Sequence, residues 1–164
     1  MTEKILILDF GSQYTQLIAR RLRELKVYCE IFPCHVSLEH IKKFNASAII
    51  LSGGPYSVYD KGAPTASAKI WDLKIPVLGI CYGMQYMAKN FKGNVVAAKT
   101  REYGRTGILY KGKSEILPAH SGALTVWMSH GDEIGEVPSG FQITAVSENG
   151  SPAAMENAAK KLYA

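Results

Sequence analysis

What most constrains this chain is that its apolar residues come in short unbroken runs, each cut off by a small or polar turn. Ile5-Leu6-Ile7-Leu8 stops at Asp9-Phe10-Gly11-Ser12, Ala48-Ile49-Ile50-Leu51 stops at Ser52-Gly53-Gly54-Pro55, and Val77-Leu78-Gly79-Ile80 stops at Cys81. A strand with one wet face would alternate apolar and polar residues, so a run with no polar member suits a strand buried on both faces. Helical spacing fills the gaps between runs. Tyr14, Leu17, Ile18, Leu22 and Leu25 predict one helix, Ser37 is an N-cap for a short helix through Lys43, and a helical stretch around Ala66 to Leu73 leads to Pro76. Val27 to Phe32 adds another strand. Strands alternating with helices need right-handed crossovers, which predicts an α/β, doubly wound, mostly parallel open sheet. Ligands of such sheets bind at the carboxyl ends of the strands, where Asp9-Phe10-Gly11, Ser52-Gly53-Gly54 and Cys81 would gather.

The second half has a different texture. Val95 to Ala98, Gly107 to Tyr110, Ala123 to Met128 and Gln142 to Ser147 are short β-like runs between Gly, Pro and Asn turns, which predicts extra, partly antiparallel strands. There is no repeat or linker, and 164 residues that are 47% hydrophobic suffice for one core, so residues 1–164 read as one domain.

The sequence has no apolar stretch long enough to span a bilayer, and the N-terminus lacks the apolar core of a signal peptide, so a soluble, cytoplasmic protein without a membrane partner is expected. Cys29, Cys34 and Cys81 form no C-x-x-C pair, which argues against a disulfide framework and against a cysteine-bound metal. The formal charge of +5 is scattered over Arg20, Arg21 and Arg23, then Lys42, Lys43, Lys160 and Lys161, with no basic run interleaved with aromatics. A nucleic-acid partner is therefore not expected.

Gly79-Ile80-Cys81-Tyr82-Gly83-Met84-Gln85 puts a cysteine straight after a buried strand with glycines two residues to either side. A sharp strand-to-helix turn that lifts a nucleophile clear of the sheet needs such small neighbours, whereas a merely buried cysteine does not. Cys81 is accordingly the candidate nucleophile, and the adjoining helix N-terminus is expected to lower its pKa. Attack of a thiolate on a carboxamide creates an oxyanion, for which the backbone N–H groups of Gly54 and Tyr82 are the candidate donors. Cys29 and Cys34 lack this context and read as core residues.

Gly-x-Cys-x-Gly-x-Gln after a strand, preceded by Ser-Gly-Gly-Pro, resembles the class I glutamine amidotransferases, whose sheet is flavodoxin-like. Asp9-Phe10-Gly11-Ser12-Gln13-Tyr14 and Val126-Trp127-Met128-Ser129-His130-Gly131-Asp132 resemble the branch found in GMP synthases rather than the anthranilate, carbamoyl-phosphate or CTP-forming branches. The resemblance implies that Cys81 attacks the side-chain amide of glutamine, forms a glutamyl thioester and releases ammonia. It also implies that Gln85, Ser129, His130 and Gly131 hold the substrate glutamine. No cofactor is implied in this domain. An ATP-pyrophosphatase synthetase domain of the same polypeptide, a homodimer when whole, would use ATP and magnesium and pass the ammonia to XMP, giving GMP.

A cysteine amidase needs a base, and the resemblance implies the histidine of a His-Pro-Glu motif after a strand that Leu162-Tyr163-Ala164 would begin. The sequence holds His35, His40, His120 and His130 but no His-Pro-Glu, so the chain reads as the N-terminal fragment of a longer synthase. His130 lies in the substrate-holding motif, and the other three read as surface or loop residues. Two competing readings are a flavodoxin-like module for a nucleotide or flavin and an amidotransferase of another pathway. Against the first, neither G-x-G-x-x-G nor G-x-x-x-x-G-K-[ST] occurs.

Overall fold

The structure is a computed structural model and describes residues 3–117 and 123–164, the side chains of 99–102 excepted. It divides into two compact units, Met1–Tyr86 and Met87–Ala164.

In the first unit the apolar runs are strands. β1 (Lys4–Asp9), β2 (Tyr28–Pro33), β3 (Ala48–Leu51) and β4 (Val77–Gly79) are all parallel, in the order β2-β1-β3-β4. Helix α1 (Thr15–Glu24) links β1 to β2, and α2 (Leu38–Phe44) links β2 to β3. Ile7, Ile50, Ala19 and Cys29 form one core cluster, joined by Ile5, Ile18, Leu22, Ile31 and Leu78, so α1 covers this sheet face. Because side chains alternate along a strand, the fully buried Leu6, Leu8, Ile49 and Leu51 belong to the opposite face. Burial on both faces is what the unbroken apolar runs required.

Local signals act as expected. The Ser37 hydroxyl accepts the His40 N–H and caps α2, which ends at Asn45 in the left-handed region (φ 56°). The stretch before Pro76 is not an α-helix but a 3-10 helix, Ala68–Leu73, begun by Ser67 and closed by Lys74 at φ 55°. Helix α3 (Tyr82–Asn90) follows β4 after only two residues.

The second unit is antiparallel throughout: β5 (Asn94–Tyr110), β6 (Ala123–Glu136), β7 (Gln142–Ser147), β8 (Pro152–Asn157) and β9 (Leu162–Tyr163), in the order β9-β8-β7-β5-β6. The runs at Val95 to Ala98 and Gly107 to Tyr110 are two ends of one strand, with a register shift between Ala97 and Glu102. A buried carboxylate braces this unit. Glu156 accepts hydrogen bonds from the Ser114 hydroxyl (2.9 Å), the Glu115 N–H (3.2 Å) and the Gln142 amide (3.0 Å). Among the described residues, no helix is long and apolar enough to cross a membrane.

Candidate active site

Leu8, Leu51 and Gly79 stand in one register row across β1, β3 and β4, so the loops that follow them leave the sheet side by side. Each of the three contributes to the surroundings of Cys81.

The elbow itself is the most constrained. Cys81 has φ 53°, a left-handed conformation that costs a non-glycine residue about 1–3 kcal/mol and persists only where the surroundings enforce it. The flanking glycines supply the room. A Cβ on Gly79 would lie 2.6 Å from the Gly83 carbonyl oxygen, and a Cβ on Gly83 would lie 2.4 Å from the carbonyl oxygen of Leu51. The Gly83 N–H donates to the carbonyls of Ile80 (2.9 Å) and Ser52 (3.1 Å), and the Ile80 N–H donates to Leu51 (2.9 Å), so the elbow is hydrogen-bonded to β3 and its loop.

That loop passes directly beside the cysteine. A Cβ on Gly53 would sit 3.4 Å from the Cys81 Cβ, and one on Gly54 would collide with the Phe10 carbonyl oxygen at 2.6 Å. Behind it lies the turn after β1. Asp9 Oδ1 accepts from the Gly11 N–H (2.9 Å) and the Thr15 hydroxyl (2.8 Å), and the Phe10 N–H donates to the Ser52 hydroxyl (2.9 Å). The Phe10 ring is buried against Tyr82 and Tyr86, with centroids 5.4 and 5.3 Å away. Sequence reasoning singled out Asp9 to Tyr14 without a role for it. Within it Asp9 and Phe10 brace the glycine loop, and their sequence signal is an Asp two residues before a Gly at a strand end.

Helix α3 holds the other side. Its Gln85 is buried and donates its N–H to the Cys81 carbonyl (3.1 Å). Tyr82 is buried, its phenol donates to the Pro64 carbonyl (2.7 Å), and burial pushes its pKa up to about 12. The Tyr86 phenol donates to the Ala66 carbonyl (2.7 Å) and accepts the Ala66 N–H (3.2 Å).

One expectation is corrected. Burial is the main influence on the Cys81 thiol and pushes its pKa up from 9.0, and the Tyr82 N–H, which bonds to it, pulls down by less. The short distance from strand to helix keeps the sulfur half-buried, so desolvation of the thiolate outweighs the helix terminus. A thiol shifted in this direction needs a proton acceptor to become the attacking thiolate.

The structure brings together Cys81, Gly54, Tyr82 and Gln85 in the first unit. Ser129, His130 and Gly131 are consecutive on β6 of the second unit, with Ser129 opposite Tyr103 and His130 opposite Glu102 in the register. Ser129 is exposed, and His130 and Gly131 are half-buried. His35 is exposed, and His40 Nδ1 is 2.7 Å from the Ser37 hydroxyl. His120 lies outside the described residues. Cys29 and Cys34 are buried, Cys29 donating to the Ala19 carbonyl (3.5 Å), as core cysteines should be. Two of the three arginines on α1 are spent on one carboxylate: Arg20 and Arg21 pair with Glu24 at 3.0 and 2.7 Å.

The sequence matches the family "Glutamine amidotransferase class-I" over residues 6–164. The chain belongs to the class I glutamine amidotransferases. Within this family it is 50% identical over 162 residues to the glutamine-hydrolysing GMP synthase of Brachyspira hyodysenteriae, covering 99% of this chain and 32% of that one. The corresponding Bacillus subtilis enzyme is 50% identical over 163 residues, with the same coverage of 99% and 32%. The amidotransferase thus spans about a third of the length of the curated relatives it matches. Among solved structures, a GMP synthase subunit from Thermoplasma acidophilum superposes with a TM-score of 0.86 at 30% identity, covering 99% of this chain and 82% of that one. A Thermotoga maritima glutamine amidotransferase shares the fold with a TM-score of 0.77 at 20% identity, covering 99% and 74%.

Proposed function

We propose that this chain is the glutamine-hydrolysing domain of a GMP synthase. The observation that carries the reading is the enforced left-handed Cys81, set between glycines that admit no side chain and beside the Gly53-Gly54 loop. In the proposed reaction Cys81 Sγ bonds to the side-chain carbonyl carbon of glutamine, and the Gly54 and Tyr82 N–H groups receive the oxyanion. The C–N bond then breaks, ammonia leaves with the thiol proton, and water releases the thioester as glutamate. Gln85, Ser129, His130 and Gly131 are proposed to hold the substrate.

By the family resemblance the proton acceptor is the histidine of a His-Pro-Glu motif, which these 164 residues do not contain. The 164-residue chain is therefore expected to be a very poor glutaminase, since a catalytic unit without its base loses several orders of magnitude in rate. In the longer relatives the remaining two-thirds would house the synthetase that takes up the ammonia, activating XMP with ATP and magnesium.

The test is covalent labelling with a chloroketone analogue of glutamine, mapped by mass spectrometry, with Cys81→Ala as control. Labelling confined to Cys81 and blocked by excess glutamine is expected. Equal labelling of Cys29 and Cys34, or indifference to glutamine, would overturn the reading.

A further inference from the structure

The Ser52 side chain is fully buried and sits at the junction of the three loops. Its main chain is pinned on both sides, the N–H donating to the Leu8 carbonyl (3.0 Å) and the carbonyl accepting from Gly83 of the elbow (3.1 Å). Its hydroxyl oxygen accepts the Phe10 N–H at 2.9 Å and has one proton to give. Two acceptors compete for it: the Gly53 carbonyl at 2.9 Å and Asp9 Oδ1 at 3.5 Å. The shorter contact wins, because a hydroxyl bond has its optimum near 2.7–2.8 Å. Asp9 meanwhile is engaged by Gly11 and Thr15, which keeps the Phe10 turn, and with it the Phe10 N–H, in place.

The consequence follows from the planarity of the peptide group. The Gly53 carbonyl and the Gly54 N–H are opposite ends of one trans unit, so fixing the direction of the oxygen fixes the direction of the N–H. Between two glycines that unit has no side chain to resist rotation. We propose that Ser52 is a positioning residue that holds the Gly53–Gly54 peptide with its N–H turned to the developing oxyanion. Its hydroxyl acts on the carbonyl end and never touches the substrate. This rests on the reading of Cys81 as the glutamine-attacking nucleophile.

Two reagents separate this role from a merely structural one. Addition of the Cys81 sulfur to the carbonyl of the glutamine chloroketone creates an oxyanion, whereas displacement of iodide from iodoacetamide by the same sulfur does not. In the full 164-residue chain, Ser52→Ala is expected to slow chloroketone labelling of Cys81 roughly a hundredfold, the scale of losing one oxyanion donor, and to leave iodoacetamide labelling of Cys81 unchanged. Ser52→Cys, which puts a somewhat larger group with a weak donor in place of the hydroxyl, is expected to fall between and serves if the alanine variant does not fold. Ser37→Ala, which removes the cap of α2 and touches none of these groups, is expected to lower the melting temperature without changing the ratio of the two rates. Wild-type-like ratios in the Ser52 variants, with the wild type selectively labelled at Cys81, would overturn the role of Ser52 alone. Failure of the chloroketone to label wild-type Cys81 would take down the nucleophile assignment, and this inference with it.

Discussion

The glycines around Cys81 and the turn glycines of the second unit do opposite work. Around Cys81, Gly54, Gly79 and Gly83 bring backbone to within 2.4–2.6 Å of where a Cβ would be, so they allow separate segments to touch. In the turns of the second unit, Gly104, Gly112 and Gly150 have positive φ and nothing within 4 Å of a Cβ, so they turn the chain in open space. The difference teaches where rigidity is concentrated. The surroundings of Cys81 are fixed by backbone meeting backbone, which cannot relax by changing a rotamer, while the antiparallel unit is fixed by its ladder and by side chains such as Glu156.

The sharpest way to break this contrast is to add one methyl group to each unit. Gly83→Ala forces a Cβ against the Leu51 carbonyl and is expected to destabilise the protein by about 3 kcal/mol or more, read as a loss of cooperative melting. Gly131→Ala meets only the Tyr103 hydroxyl at 3.7 Å and is expected to stay within about 0.5 kcal/mol of wild type. Equal effects would remove the distinction.

Next in size is the response of Cys81 to pH. A raised pKa means less thiolate at any given pH, so iodoacetamide labelling of Cys81 should climb about tenfold per pH unit and keep climbing past pH 9.0, its ordinary value. A plateau below pH 8 would show that the helix terminus, not burial, governs the sulfur. A smaller effect concerns the strain at the elbow. Cys81→Gly releases the left-handed conformation and is expected to raise stability by about 1 kcal/mol while abolishing labelling, measured by chemical denaturation. A loss of stability would mean that the sulfur contributes more to packing than its φ of 53° costs.

The parallel unit was legible in the sequence because burial on both faces leaves no polar residue in Ile5-Leu6-Ile7-Leu8 or Ala48-Ile49-Ile50-Leu51. The elbow was legible because Gly79 and Gly83 leave a spacing that packing alone does not require. What could not be read depends on residues far apart in the chain. Ser52 and Phe10 are 42 positions apart, and nothing local says that a serine before two glycines will orient their peptide. Strand β8 begins with Pro152 and buries Glu156, both atypical of strands, and only the partners of Glu156 explain its burial. The direction of the Cys81 pKa shift was missed for a related reason: the helix start is visible in sequence, but the depth of the sulfur is not.

The tyrosines of α3 have a consequence for how the protein can be altered. Tyr82 and Tyr86 fasten the segment after Pro55 at Pro64 and Ala66, and Val58 is buried near its other end. Between these anchors Lys61 and Gly62 are exposed, and Gly62 has open space around it. The segment is thus a strap with both ends tied and an exposed turn in its middle, closed by the Ala63 N–H on the Asp60 carbonyl (3.1 Å), so cleavage or a peptide insertion after Lys61 would cost that turn but leave the two ends held and the cysteine elbow undisturbed.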